Sequence, residues 1–380
     1  MTTPAAVSSN PSQPLRSVYT PSLPALLQQA GVSVLITTFK VNKLVIVRVD
    51  QQGMLNTHFC DFMKPMGLAL NGDRLAVGTY RDISEFHNVP AVAAKADRTG
   101  KVDACFLPRT VYHTGSIQVH EMGWAGEELW FVNTLFSCLC VRHPAYSFVA
   151  RWRPPFITAL AAEDRCHLNA VGVRDGQPRY ATALAATDTP SGWREHKKDG
   201  GVLIDIQRNE VLLRGLSMPH SPRWYQGKLW LLNSGDGGFG FVDEKSGRYE
   251  NVTTLPGFTR GLDFFGNLAF IGMSQVRETA TFSGIAIAAR PERMCGMFVV
   301  DITTGQPVAF MQFKDAVQEV FAVQVLPGIR FPDIINDNEE LLAGSYVALE
   351  EYQETAPGAD RLYVEGVTEP ARTRRVFTIG

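Results

Sequence analysis

One pattern occurs twice in this chain, 100 residues apart: HEMGWAGEELWFVN (His120–Asn133) and HSPRWYQGKLWLLN (His220–Asn233). Both copies put His first, Trp four residues later, Leu-Trp nine and ten later, and Asn thirteen later. A chain that repeats such a strand–turn–strand piece is built from copies of one supersecondary unit, and none of the copies buries its apolar face alone. Fainter copies are MGLALNGDRLAVGT (Met66–Thr79), HLNAVGVRDGQPRYATAL (His167–Leu184) and TRGLDFFGNLAFIG (Thr259–Gly272). QEVFAVQVLPG (Gln318–Gly328) makes a sixth, without an evident second strand. The intervals of about 40 to 60 residues match the four-stranded blade of a β-propeller.

The segments between the copies supply the outer strands. CLCVRHPAYSFVARW, GGVLIDIQRNEVLLRGL, GFGFVDEKSGRYENVTTL and CGMFVVDITTGQPVAFMQF each read strand, polar turn, strand. LVIVRVDQQGMLNTHFCDF (44–62) comes before any inner strand, so it is expected to complete the last blade and close the ring. The expected fold is all-β, a six-bladed propeller closed by N-terminal strands. A seventh blade would have to be hidden around Asp82–Val111. Residues 1–30 read as a flexible leader and short helix, 31–332 as a single propeller domain, and 333–380 as an acidic C-terminal extension, partly disordered or packed outside the ring.

Composition narrows the function classes. Lys plus Arg is 36 and Asp plus Glu 38, a net charge of −2, which argues against a basic nucleic-acid-binding face. No run of apolar residues is long enough to span a bilayer, and the first thirty residues lack a secretory pattern. Six cysteines without metal spacing fit a reduced, cytoplasmic protein.

Aligning the repeats places His120, His167 and His220 at the mouths of three consecutive inner strands. Three imidazoles leave an open position on a metal, so a divalent ion, zinc or iron, is the expected cofactor. Arg260, at the mouth of the fifth copy, would orient an anionic group or stabilise developing charge. Glu319, Tyr80 and Glu278 are the candidates for moving protons, and Arg81, Asn133, Asn233 and Arg277 for binding substrate. Tyr80–Cys105 and Met273–Cys295 read as long insertions on the same face, which would bring Glu85 and His87 to the mouth as well. Trp124 and Trp224, like Cys138 and Cys140, read as core.

The segments LWFVNTLFSCL, SMPHSPRW, LWLLNSG, LPGFTRGL and FAVQVLPG resemble an uncharacterised bacterial family, a domain of unknown function, over roughly Ser33–Pro332. That resemblance implies one continuous domain and no chemistry. The set His120, His167, His220 and Arg260 is similar in kind to the zinc-lyase propeller of peptide-amidating enzymes, but here the histidines stand on consecutive blades. The expectation is a metal-dependent lyase or hydrolase acting on a small molecule or modified peptide. The alternative is a non-catalytic scaffold for a protein partner.

Overall fold

The computed structural model describes residues 7–8, 15–97, 99–276, 282–336 and 338–346. Six antiparallel sheets stand in a ring, each ordered from an inner to an outer strand. Blade 1 is Leu68–Asn71, Arg74–Gly78, Asp82–Asn88 and Ala104–His113. Blade 2 is Met122–Ala125, Glu128–Asn133, Cys138–His143 and Tyr146–Trp152, and blade 3 is Leu168–Arg174, Gln177–Ala183, Gly201–Asp205 and Glu210–Leu216. Blade 4 is Pro219–Tyr225, Lys228–Asn233, Gly238–Asp243 and Arg248–Thr254. Blade 5 runs Phe258–Phe265, Leu268–Ser274, Cys295–Asp301 and Gln306–Phe313. In blade 6 the inner strand, Val323–Pro327, comes from the far end of the chain; Val32–Thr38, Lys43–Val49 and Leu55–Asp61 complete it from the near end. The missing second strand of the sixth repeat is therefore Val32–Thr38.

Burial follows from this stacking. All seven residues of Val32–Thr38 are buried, because a second strand is covered on both faces by neighbouring blades. The outer strand Tyr146–Trp152 has no fully buried residue. Tight turns carry the backbone signs that hairpins demand: Asp175–Gly176 and Gln226–Gly227 are left-handed at both central positions, the geometry of a type I′ turn. Leu23 and Leu27 of the helix Ser22–Ala30 are fully enclosed in the core shared by blades 5 and 6. The helix ends at Gly31 in the left-handed conformation, whose N–H bonds back to Leu27 and Gln28.

Tyr80–Cys105 is not a loop at the mouth. Asp82–Asn88 is the third strand of blade 1, and the helix Pro90–Ala96 links it to the fourth. No seventh blade is hidden there. The polar strand DISEFHN read as a loop because its charges are answered by neighbours: buried Glu85 faces Arg142 at 2.6 Å and Arg74 at 3.7 Å. Ser17–Tyr19, within the expected leader, pairs with the outer strand of blade 5. Pro332–Ile334 adds a parallel strand to the outer edge of blade 1, next to Ala104–Phe106. The extension beyond Tyr346 lies outside the described residues. Among the described residues no helix is long and apolar enough to cross a membrane. All six cysteines are buried free thiols.

Candidate functional site at the channel mouth

The ring brings the three histidines together. His120 and His167 pack edge to face, with ring centroids 4.8 Å apart and planes at 83°. His120 also meets Phe321 of the blade 6 approach at 5.6 Å, and His220 meets Phe258 at 5.5 Å. Both His120 and His220 are held through Nδ1 in the same way. In His120, Nδ1 lies 3.1 Å from the Gln118 carbonyl and 2.8 Å from Thr134 Oγ1, whose own hydrogen goes to the Leu168 carbonyl. In His220, Nδ1 lies 2.9 Å from the Met218 carbonyl and 3.0 Å from Ser234 Oγ. A carbonyl only accepts, so Nδ1 carries the proton in each ring and Nε2 keeps its lone pair. Burial, then the positive charge of Arg260 and neighbouring imidazole, holds both rings well below the ordinary histidine pKa; they are neutral.

His167 is held differently. Its Nδ1 sits 3.0 Å from both carboxylate oxygens of Asp164, and Asp164 also accepts from the buried Trp193 Nε1 at 3.0 Å. The backbone is left-handed at Gln118, Asp164, His167, Met218 and Ser221. Such conformations cost non-glycine residues free energy, and here they aim carbonyls and rings at the channel mouth.

His120 and His167 lean on each other while His220 lies against Phe258, and the positive charge of Arg260 reaches both His120 and His220. Among the described residues no group of three or more His, Cys, Asp or Glu is placed to hold a metal ion.

Arg260 is the charged group at the centre of the mouth. It is 9% exposed, and its guanidinium carbon lies 3.3 Å from the centre of the Phe321 ring. That cation–π contact contributes about 2 kcal/mol in a desolvated setting. Burial lowers its pKa to about 10 against the pull of Glu319 and Glu121, so it stays charged at neutral pH. The guanidinium makes no hydrogen bond among the described residues; its closest anionic atom, Glu319 Oε1, is 3.9 Å away. Arg260 and Glu319 line a cavity of about 60 Å³ together with Lys40, Phe258, Val276 and Phe282.

The other expected residues are scattered. Tyr80 lies under the Lys64 ammonium, and Lys64, Phe39 and Phe321 stand between it and Arg260. Arg81 lines a separate groove of about 510 Å³ with Asn42, Asp61 and Asp82. Asn133 is fully buried and its carboxamide oxygen accepts from the Phe136 N–H. Asn233 accepts from the Ser217 N–H at 2.7 Å and donates to Asp236. Both asparagines thus fasten turns of their own blades. Arg277 and Glu278 lie outside the described residues. Sequence reading missed Asp164, Trp193, Phe321 and Lys40. The hydroxyl fourteen residues after each His, Thr134 and Ser234, is common to both copies of the repeat, and that shared position is the signal for their contact with the rings.

Residues 21–335 match the family model described as Domain of unknown function (DUF4915). A search of curated proteins returned no match. Among solved structures, a chain of a nidogen/laminin complex aligns with a TM-score of 0.50 at 8% identity, covering 78% of this chain and 99% of that one. A protein of unknown function from Bacteroides caccae aligns at 0.47 and 8% identity, covering 78% and 98%. At such identity the likeness to the first is one of fold alone.

Proposed function

We propose that this protein, which belongs to the family described as Domain of unknown function (DUF4915), is a ligand-binding propeller that takes the carboxylate of a small molecule onto Arg260 at the channel mouth. The observation that carries this reading is a buried, charged guanidinium without a hydrogen bond. None of its nitrogens is sealed from solvent, so the unbonded donors open onto the cavity, where a bidentate carboxylate takes them. The neutral His120 and His220 keep further positive charge away from Arg260. A catalytic role, of the lyase or hydrolase type, rests on His167, whose Nδ1–H is fixed by Asp164 and whose Nε2 has no protein partner among the described residues. In that role His167 takes a proton from the bound ligand. Six buried thiols suit the reducing cytoplasm.

The test is calorimetric titration of propionate and of L-alanine into the native protein and the Arg260→Gln variant, with zinc chloride as a separate titrant. Saturable propionate binding, weakened at least about tenfold in the variant, supports the reading. Equal binding in both proteins, binding of neither propionate nor L-alanine, or stoichiometric zinc uptake that depends on His120 overturns it.

A further inference from the structure

Glu319 shares the cavity with Arg260, and it too has ion-pair contacts but no hydrogen bond among the described residues. Oε2 is sealed from solvent and unpartnered, with the Lys40 ammonium 4.0 Å away; Oε1 stands 3.9 Å from Arg260 Nη1, beyond hydrogen-bond reach. Two opposite charges that face one cavity and do not bond to each other present a donor fork and an acceptor side by side. The enclosed pair sums to zero charge, while the Lys40 side chain is 64% exposed and its charge is screened by water. A simple carboxylate would satisfy Arg260 and leave the half-buried Glu319 against a second anion. A zwitterion satisfies both.

We propose that the ligand is an α-amino acid with a small apolar side chain, its carboxylate on Arg260 and its ammonium on Glu319 Oε1. The proposal rests on the reading of the channel mouth as a carboxylate site. Phe258, Val276 and Phe282 supply the apolar wall for the side chain, and the cavity of about 60 Å³ limits its size. A water needs about 10–15 Å³ of such space, so a ligand of a few heavy atoms fits and a large side chain does not. No bond is made or broken in this step; it is recognition by two complementary charges.

The experiment titrates L-alanine, propionate, N-acetyl-L-alanine and L-alaninamide into the native protein, and the first two also into Glu319→Gln. The expected result is alanine binding at least about tenfold tighter than propionate, with N-acetyl-alanine and alaninamide both weakened, each having lost one charge. Glu319→Gln should bring alanine down to the level of propionate and leave propionate itself unchanged or tighter. Propionate binding as tightly as alanine overturns the zwitterion and keeps the carboxylate site. Binding of none of the four overturns the carboxylate site beneath it. The two ligand-side analogues need no variant, so a folding defect in Glu319→Gln leaves the test intact.

Discussion

The Thr134 hydroxyl lies 2.8 Å from Nδ1 of His120, and Ser234 stands in the same relation to His220 at 3.0 Å. Each hydroxyl joins a main-chain carbonyl in fixing one tautomer, and both rings are buried in the neutral state. The pH dependence of stability follows. In the unfolded chain these histidines protonate near the ordinary value of 6.5, whereas in the native protein they do so well below it. Below that value the unfolded state binds more protons than the native one. Stability is therefore fully present above pH 6.5 and falls as the pH drops, by about 1.4 kcal/mol per unit for each ring. Urea midpoints measured from pH 8 to 5 should decline, and the double variant His120→Gln/His220→Gln should flatten that decline. An unchanged slope in the double variant would mean that other groups carry the acid sensitivity.

Inside the channel, Glu121 of blade 2 accepts hydrogen bonds from Arg223 and, at 3.0 Å, from Ser221, both on blade 4. Glu121 is buried, and burial pushes its carboxyl pKa upward against the pull of Arg223. Removing Glu121 leaves the partly exposed Arg223 and the buried Ser221 hydroxyl without their acceptor, so Glu121→Ala should cost about 1–3 kcal/mol. The double variant Glu121→Ala/Arg223→Ala should cost less than the sum of the two single changes, by more than about 0.5 kcal/mol in a double-mutant cycle. Strict additivity would show that the contact across the channel contributes nothing of its own.

The repeat made the ring legible because it records register directly. Aligning His120 with His220 located all six inner strands, including Val323–Pro327, whose partner Val32–Thr38 sits at the other end of the chain. The charged third strand of blade 1 was illegible for a physical reason. Glu85 is neutralised by Arg74 and Arg142, and the pairing with Arg142 joins different blades. No local pattern reports a contact of that kind. The site was half legible on the same grounds. The positions of the histidines and Arg260 follow from strand alternation, while the orientation of the His167 ring depends on Asp164 and Trp193, which come from loops outside the repeat. Three histidines at one rim thus suggested a metal centre, while the edge-to-face packing of His120 on His167 was invisible.

Closure of the ring depends on Thr37. Its Oγ1 donates to the Met66 carbonyl at 2.6 Å and accepts from the Ala322 N–H at 2.9 Å, while its main chain exchanges bonds with Phe321 and Ala322. One fully buried hydroxyl therefore joins the last inner strand of the ring to the first blade. Thr37→Val keeps the shape and β-propensity of the side chain but orphans one buried carbonyl and one buried N–H. Each orphan costs about 1–3 kcal/mol, so the variant should lose about 2–4 kcal/mol. Thr37→Ser keeps the hydroxyl and gives up only a methyl group, about 1 kcal/mol. Guanidinium unfolding of the three proteins checks this, with a falling midpoint at constant slope as the expected signature. A Thr37→Val midpoint equal to that of the native protein would place the closure entirely in the ladder between Val32–Thr38 and Val323–Pro327. A midpoint at or above that of Thr37→Ser would do the same, since the hydroxyl would then add nothing.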